Sequence, residues 1–314
     1  MFDRPEESDC MDILTDVLNI MELKGWLSSR RELVPPWRYD FAVSRDSMFH
    51  VIRSGSAYLQ VEGESRPIRL EDGDLVLFPT GYPHSLYDHP TSPLTRLVHL
   101  DYNPHRGHDV VNHEGEGVPL LLLCGAFHFD YPNDFPLVHR LPKLIHIRGT
   151  QGRMDQGFAE ILHIIARESA SQQPATEVML RRLTELLFIQ VIRLWIAQEA
   201  KAPAGWAGAL HDQPISTALG LIHQSPGYRW TVKDLAEASA LSRSAFSARF
   251  TELVGEPPLT YLTRWRMLRA TRLLKNEVKM ETIAEQLGYE SEAAFRKAFK
   301  REMGIPPAQY RKVG

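Results

Sequence analysis

The last hundred residues of the chain contain an internal duplication, which constrains the fold more than any other feature of the sequence. When the sequence is shifted by 49 residues, the same residue types recur in the same order. A repeat of this kind predicts two copies of one supersecondary unit. The matched residues are Ser242 and Ser291, Ala245 and Ala294, Phe246 and Phe295, Phe250 and Phe299, Gly255 and Gly304, Pro257 and Pro306, Pro258 and Pro307, and Tyr261 and Tyr310.

Each copy predicts two helices joined by a short turn. In the first copy, Thr231 is a plausible N-cap for a helix over Val232–Ser239. Ser242 then caps a second helix, which Gly255 ends. The second copy repeats this pattern over residues 281–303. Two helices joined in this way form a helix-turn-helix, whose second helix enters the major groove of DNA.

A helix predicted over Leu259–Asn276 joins the two copies. Its roughly 18 residues correspond to a length of about 27 Å at 1.5 Å per residue. Successive major grooves on one side of the duplex are about 34 Å apart. The spacing therefore favours two second helices that enter successive grooves from the same side.

The distribution of charge agrees with a DNA-binding C-terminal part. The net charge of −3 argues by itself against a nucleic-acid-binding protein. Residues 213–314, however, carry 16 Lys and Arg against 10 Asp and Glu, whereas residues 1–212 carry 20 against 29. A local balance of +6 beside one of −9 favours a DNA-binding module joined to a different function.

One run of residues in the second copy is specific enough to indicate a family. Gly288-Tyr-Glu-Ser, Phe295-x3-Phe299-Lys, Gly304-Ile-Pro-Pro and Tyr310-Arg together resemble the signature of the AraC/XylS family of bacterial transcription regulators. The resemblance extends over residues 215–311. It implies a sequence-specific regulator, expected to be an activator, whose partners are double-stranded promoter DNA and RNA polymerase.

The resemblance also places the DNA contacts on the exposed faces of the two second helices. Five basic residues are expected either to position phosphates or to be solvated surface, namely Arg249, Arg264, Arg266, Lys300 and Arg301. The predicted DNA-binding residues are Arg243, Ser244, Ser247, Ala248 and Arg249 in the first copy, and Glu292, Ala293, Arg296 and Lys297 in the second.

Upstream of the helical part, residues 25–147 predict a small β-structure. Short β-rich runs are separated by Gly, Pro and Asp, which is typical of a sandwich or barrel. The polar stretch over residues 105–117 is predicted to be a loop. The predicted strands are Met48–Arg53, Ser56–Glu62, Asp74–Phe78, Thr95–Tyr102 and Leu120–Phe129.

Two motifs in this region resemble those of cupins. The run Gly73-x5-Pro79-x-Gly81-x2-His84 matches the second cupin motif. Of the first motif, His50 is present, but Ile52 and Ser56 stand where a second histidine and a glutamate are usual. Metal-binding cupins use three histidines and a carboxylate, so two of the four ligand positions are lost. We therefore expect no resident cofactor and no catalysis.

The resemblance to cupin-type sensor domains extends to the run that holds Cys124. Its side chain is either a small buried hydrophobe, a ligand of a His/Cys metal site with His50 and His84, or a thiol that senses oxidants. The signal is expected to be a small molecule or a redox change. The candidate ligand-binding residues are His50, Tyr58, His84, His99 and Cys124.

The expected architecture is multidomain α+β, with an N-terminal cupin-like β-barrel and helical extension before an all-α tandem helix-turn-helix. Residues 1–150 would form the sensor domain and residues 151–200 a helical coupling or dimerisation element. Residues 201–212 would be a linker, and residues 213–314 the DNA-binding domain. A homodimer is expected, with a seam at Leu183, Leu187, Val191 and Leu194.

Several classes of protein are disfavoured by composition. The acidic start, Met1 to Cys10, has no apolar core and does not indicate a signal peptide. Two cysteines cannot form a disulfide framework, so a cytoplasmic protein without a membrane partner is expected. Two alternatives remain open. One is a cupin metalloenzyme with an appended DNA-binding domain, and the other is a regulator whose barrel is only a dimerisation scaffold.

Overall fold

The chain folds into two compact units. A computed structural model describes residues 13–100, 103, 107–129, 141–149, 155–199 and 205–313. The predicted acidic start and residues 201–204 of the predicted linker lie outside these ranges. One unit, here called the β-unit, is Leu23–Gln198. The other, the helical unit, combines Met1–Glu22 with Glu199–Gly314.

The β-unit contains two sheets that face each other across an apolar core. The first sheet has the strand order β11-β6-β3-β10-β1-β9, and the second has β5-β4-β7-β2-β8. The strands are β1 (Leu23–Leu33), β2 (Arg38–Phe41), β3 (Ser47–Ser54), β4 (Ala57–Val61), β5 (Ile68–Leu70), β6 (Leu75–Phe78), β7 (His84–Tyr87), β8 (Arg96–Val98), β9 (Asp109–His113), β10 (Leu120–Phe129) and β11 (Ile145–Ile147).

Two of these strands depart from the sequence prediction. The predicted loop over residues 105–117 contains β9, which pairs in parallel with β1 and forms the edge of the first sheet. Exposed valines and polar residues in β9 gave no alternating pattern, so its pairing with a distant strand was not visible. Strand β8 is also shorter than the predicted Thr95–Tyr102.

Two helices, α2 (Gln156–Glu168) and α3 (Thr176–Glu199), complete the β-unit. The ring of Phe188 lies 4.8 Å from that of Phe127 on β10, so α3 packs on the first sheet. Leu187 and Val191 are buried within the chain itself. These two residues of the predicted dimer seam therefore serve internal packing.

The helical unit is built from nine helices among the described residues. One of them, Gly205–His211, lies in the segment predicted as a linker, because Trp206 is buried there and orders the backbone. The helices are α1 (Ile13–Met21), α4 (Gly205–His211), α5 (Gln213–Gln224), α6 (Val232–Ala238), α7 (Arg243–Val254), α8 (Pro258–Lys275), α9 (Met280–Gln286), α10 (Glu292–Met303) and α11 (Pro307–Val313).

The N-terminal helix α1 packs on the helical unit, although the sequence prediction placed it in the sensor domain. Asp16 Oδ2 lies 3.4 Å from Nδ1 of His223 on α5. Lys275 at the end of α8 forms a 2.6 Å ion pair with Glu22. The apolar face of α1, which includes Val17 and Ile20, is buried by this packing. No helix among the described residues is long and apolar enough to cross a membrane.

Candidate DNA-binding surface and buried histidine cluster

The first helix-turn-helix is fixed by local hydrogen bonds. Thr231 and Asp234 form a capping box, in which the Asp234 amide donates to Thr231 Oγ1 and the Thr231 amide donates to Asp234 Oδ2. The hydroxyl of Ser242 accepts from the amide of Ala245 at the start of α7. Helix α7 ends at Gly255, whose φ of 90° is left-handed. The predicted caps and the predicted stop are therefore all present.

The second helix-turn-helix repeats these features with one difference. Ser291 accepts from the amide of Ala294 and starts α10, and Gly304 with a φ of 75° ends it. The first helix of this copy, α9, begins after Lys279 and has no side-chain cap. The connector α8 has 18 residues, as predicted.

The packing of two phenylalanine pairs determines which face of each second helix is exposed to solvent. The rings of Phe246 and Phe250 lie 5.6 Å apart, those of Phe295 and Phe299 lie 5.7 Å apart, and all four are fully buried. Val254 on α7 and Ala298 on α10 are buried as well, and most other side chains of the two helices lie on the opposite, exposed face. Arg243, Ser244, Ala248, Arg249, Ala293, Arg296 and Lys297 are exposed, whereas Ser247 and Glu292 are half-buried.

Two arginines of the predicted DNA-binding set form ion pairs within the unit. Arg249 donates from Nε to Asp212 at 2.7 Å, and Asp212 is itself the N-cap of α5. Arg296 donates to Glu292 one turn earlier on α10, at 2.6 Å. Arg249 therefore ties α7 to α5, whereas Arg296 is held only by a neighbour on its own helix.

Arg266 joins the two copies, although the sequence left open a role in phosphate binding. Its guanidinium donates to the carbonyl oxygens of Pro226 at 2.6 Å and Tyr228 at 2.9 Å. At the same point, a Cβ on Gly288 would lie 2.2 Å from the carbonyl oxygen of Gly227. This contact between glycines fixes the turn of the second copy against the first.

In the β-unit, three of the predicted ligand-binding residues meet in the core. Nδ1 of His50 lies 3.1 Å from Sγ of Cys124, and its Nε2 lies 2.7 Å from Nε2 of His84. His50 and Cys124 are paired on β3 and β10 of the first sheet, and His84 reaches them from β7 of the second. The three side chains meet because each is on the face of its strand that is turned to the core between the two sheets.

When the three groups are neutral, only one assignment of donors and acceptors satisfies all the hydrogen bonds of this cluster. The carbonyl oxygen of Tyr82 can only accept, so Nδ1 of His84 donates to it over 2.7 Å. Nε2 of His84 then accepts from Nε2 of His50. Nδ1 of His50 accepts in turn from the Cys124 thiol.

The pKa values of the cluster agree with neutral groups. Burial lowers the pKa of His50 well below its usual value, and the neighbouring His84 lowers it further. Burial lowers the pKa of His84 to about 4 and raises the pKa of the Cys124 thiol. At neutral pH these directions correspond to two uncharged imidazoles and a protonated thiol.

The cluster does not have the geometry of a metal centre. No group of three His, Cys, Asp or Glu side chains among the described residues could hold a metal ion. The two nitrogens of His50 face different partners, so Cys124 and His84 cannot share one metal with it. A distance of 2.7 Å between two imidazole nitrogens is that of a hydrogen bond.

The other two ligand-binding candidates lie elsewhere. Tyr58 stacks on Tyr87 at 6.0 Å on the outer face of the second sheet. His99 is exposed beyond the end of β8. The sequence prediction missed Arg31, a buried arginine on β1 whose charge faces both Cys124 and His50. Every second residue of β1 from Leu27 to Leu33 is buried, and this alternation places Arg31 on the same inward face as Leu27, Ser29 and Leu33.

Comparisons with known proteins agree with this division of the chain. Residues 12–197 match a family described as a cupin, and residues 235–313 match a family described as a helix-turn-helix domain. A putative AraC-like transcription regulator of Streptomyces lividans is 34% identical over 96% of this chain and 98% of its own. The regulator AlkR of Acinetobacter baylyi is 31% identical over 88% of this chain and 90% of its own.

A solved structure of the DNA-binding domain of AdpA in complex with a target DNA is 31% identical to this chain. The match covers 32% of this chain and 92% of the AdpA chain, with a TM-score of 0.31. The fold and the full-length relatives define a DNA-binding protein with a cupin domain. The chain belongs to the family of AraC-like transcription regulators. The predicted fold class is confirmed, and the protein is a regulator rather than a cupin metalloenzyme.

Proposed function

We propose that the helical unit binds promoter DNA through the exposed faces of α7 and α10 and activates transcription in contact with RNA polymerase. The observation that carries this proposal is the duplicated, capped helix pair. In both copies, buried phenylalanines turn the opposite face of the second helix to solvent. Arg243 and Lys297 are exposed there and form no ion pair among the described residues. Action on chromosomal DNA implies a cytoplasmic location.

The two second helices make different contributions in this proposal. Arg296 exchanges Glu292 for a guanine edge, where an arginine donates in bidentate fashion. Arg249 stays paired with Asp212 and holds α7 in place. Ser244 and Ser247 are short, so α7 recognises its site through Arg243 and through DNA shape.

The β-unit is proposed to sense a small-molecule or redox signal and to shift the population of DNA-binding conformations. Support comes from the buried cluster of His50, His84 and Cys124, which places polar groups inside a largely apolar core. The modest local charge of +6 in residues 213–314 favours action as a homodimer, because two copies double the number of phosphate contacts.

Footprinting on genomic promoter fragments, followed by fluorescence anisotropy on one protected site, tests the DNA-binding proposal. Arg296→Ala is expected to weaken binding to the specific site by about 1–3 kcal/mol, with little change on random DNA. The matched control is Arg182→Ala, which also removes an arginine paired with a glutamate on a helix surface, but in the β-unit. Equal losses on specific and random DNA would contradict base contact by Arg296.

A further inference from the structure

The β-unit contains a cavity that is lined by His99 and is separate from the buried cluster of His50, His84 and Cys124. It has a volume of about 210 Å³ and opens between β9 and β8, the edge strands of the two sheets. Pockets for drug-sized ligands are about 300–1,000 Å³, so this cavity admits only a smaller molecule. Part of its wall is apolar and comes from Trp26, Val98 and Leu100.

Arg31 lines this cavity and lacks the partner that a buried guanidinium requires. The residue is only 6% exposed. Its Nε donates to Ser29 at 2.9 Å, its guanidinium carbon lies 4.4 Å from the centroid of the Tyr39 ring, and its Nη1 has no hydrogen-bond partner. No carboxylate forms an ion pair with Arg31 among the described residues. An unpaired buried charge is costly, so this arrangement favours binding of an anion.

The remaining charges of the cavity favour the same kind of ligand. Arg96 and His99 line it from the β8 side and are exposed at its opening. Asp109 on β9 is the acidic side chain in the described lining, and it is exposed as well. Two arginines and a histidine around a small, partly apolar space suit a molecule with one carboxylate and an apolar body.

We propose that this cavity binds a small organic carboxylate, whose oxygens accept hydrogen bonds from Arg31 while Arg96 and His99 attract it at the opening. The same guanidinium faces Cys124 and His50, so an occupied cavity alters the electrostatic surroundings of the buried cluster. The binding site stands on the geometry of the β-unit alone. Its consequence, a change in DNA occupancy, rests on the proposed function.

Matched acids and amides test the proposal on the full-length protein. Phenylacetate and butyrate are compared with phenylacetamide and butyramide, and inorganic phosphate is added as a separate probe. Thermal unfolding and calorimetric titration follow binding. The acids are expected to raise Tm and to bind, because a ligand that binds only the folded state stabilises it. The amides, which have the same shape without the charge, are expected to do neither.

Three variants test whether the acids bind in this cavity. Arg31→Gln is expected to weaken carboxylate binding at least about tenfold, as loss of a charge-assisted pair does. Because Arg31 is buried and this variant could fail to fold, Arg96→Gln at the exposed opening is a second test, with an expected loss of about two- to fivefold. Arg69→Gln, at the opposite edge of the same sheet as Arg96, is the control and should bind as the unaltered protein does.

The outcomes separate this proposal from the proposed function. Equal effects of acids and amides, equal binding of phosphate and phenylacetate, no binding of any acid, or unchanged binding by a folded Arg31→Gln would each overturn the carboxylate site. DNA protection is measured with the same probes. Binding of an acid without a change in DNA protection would leave the site standing and would contradict its role as a signal. Absence of specific DNA binding both with and without the acids would contradict the proposed function and leave the site standing.

Discussion

The two units both bury histidine, but they surround it differently. In the β-unit, His50 and His84 lie between aromatic rings and a thiol, and no carboxylate of the described residues is paired with either. In the helical unit, His223 stacks on Trp265 at 3.6 Å and lies 3.4 Å from the carboxylate of Asp16. The surroundings of His50 and His84 favour neutral imidazoles. Asp16, in contrast, partly stabilises the protonated form of His223.

This difference gives the two units acid responses of the same sign but of different size. Burial lowers the pKa of His223, and Asp16 partly offsets that effect. No such offset from a carboxylate acts on His84 or His50. The β-unit should therefore be the more sensitive to acid, and the following experiments test that contrast.

The largest expected effect is the loss of stability of the β-unit on acidification. The pKa of His84 is about 4 in the folded chain against 6.5 for the ordinary group. The unfolded chain therefore binds the proton first, so the stabilisation is complete above pH 6.5 and is lost as pH falls towards 4. The expected loss from His84 is about 3 kcal/mol, measured by urea unfolding at several pH values.

His84→Gln should reduce this loss, since glutamine does not titrate. The matched control is His163→Gln, because His163 is an exposed histidine of the same unit. The control should keep the pH dependence of the unaltered protein. An unchanged slope in His84→Gln would show that burial of His84 does not control the acid response.

A smaller effect is expected from Cys124, which supplies the donor to Nδ1 of His50. Cys124→Ala leaves this buried nitrogen without a partner and should lower the free energy of unfolding by about 1–3 kcal/mol at pH 7. Cys124→Ser keeps a donor at the same position and should retain more of the stability. Equal losses in the two variants would contradict the direction assigned to the hydrogen bonds.

The smallest effect is expected from Asp16→Asn, which removes the carboxylate beside His223. Asparagine keeps the shape of the aspartate and can still contact Nδ1 of His223, so the expected loss is about 1 kcal/mol, the net contribution of one hydrogen bond. Because Asp16 stabilises the protonated form of His223, the loss should be greater at pH 5 than at pH 8. Glu252→Gln, at an exposed carboxylate on α7, is the control and should show no such difference. A loss independent of pH would show that Asp16 acts on packing alone.

The helix-turn-helix copies could be predicted within about one residue because their boundaries are set locally. Ser242, Gly255, Ser291 and Gly304 act on backbone groups within a few positions of themselves, so the sequence pattern carries the information. The roles of the charged residues were harder to predict. Whether Arg266 faces DNA or the carbonyls of another segment depends on contacts some 40 positions away.

The β-unit was predicted in outline, and three of its candidate ligand-binding residues, His50, His84 and Cys124, are buried in its core. Strand β9 was missed because its partner β1 lies some 80 positions earlier. The packing of α1 on the helical unit was also missed. An amphipathic helix has an apolar face but does not specify which surface will cover it, and here that surface comes from α5 and α8.

Because α1 belongs to the helical unit, that unit is a host domain whose sequence is interrupted by an inserted domain, the β-unit, here called the guest. The host is formed by both ends of the sequence, and the guest, Leu23–Gln198, is inserted between them. Two covalent crossings, at Glu22–Leu23 and at Gln198–Glu199, therefore tether guest to host. A single backbone cut at either crossing leaves them attached through the other. During synthesis, α1 is made before the inserted segment, whereas its packing partners α5 and α8 are made only after that segment.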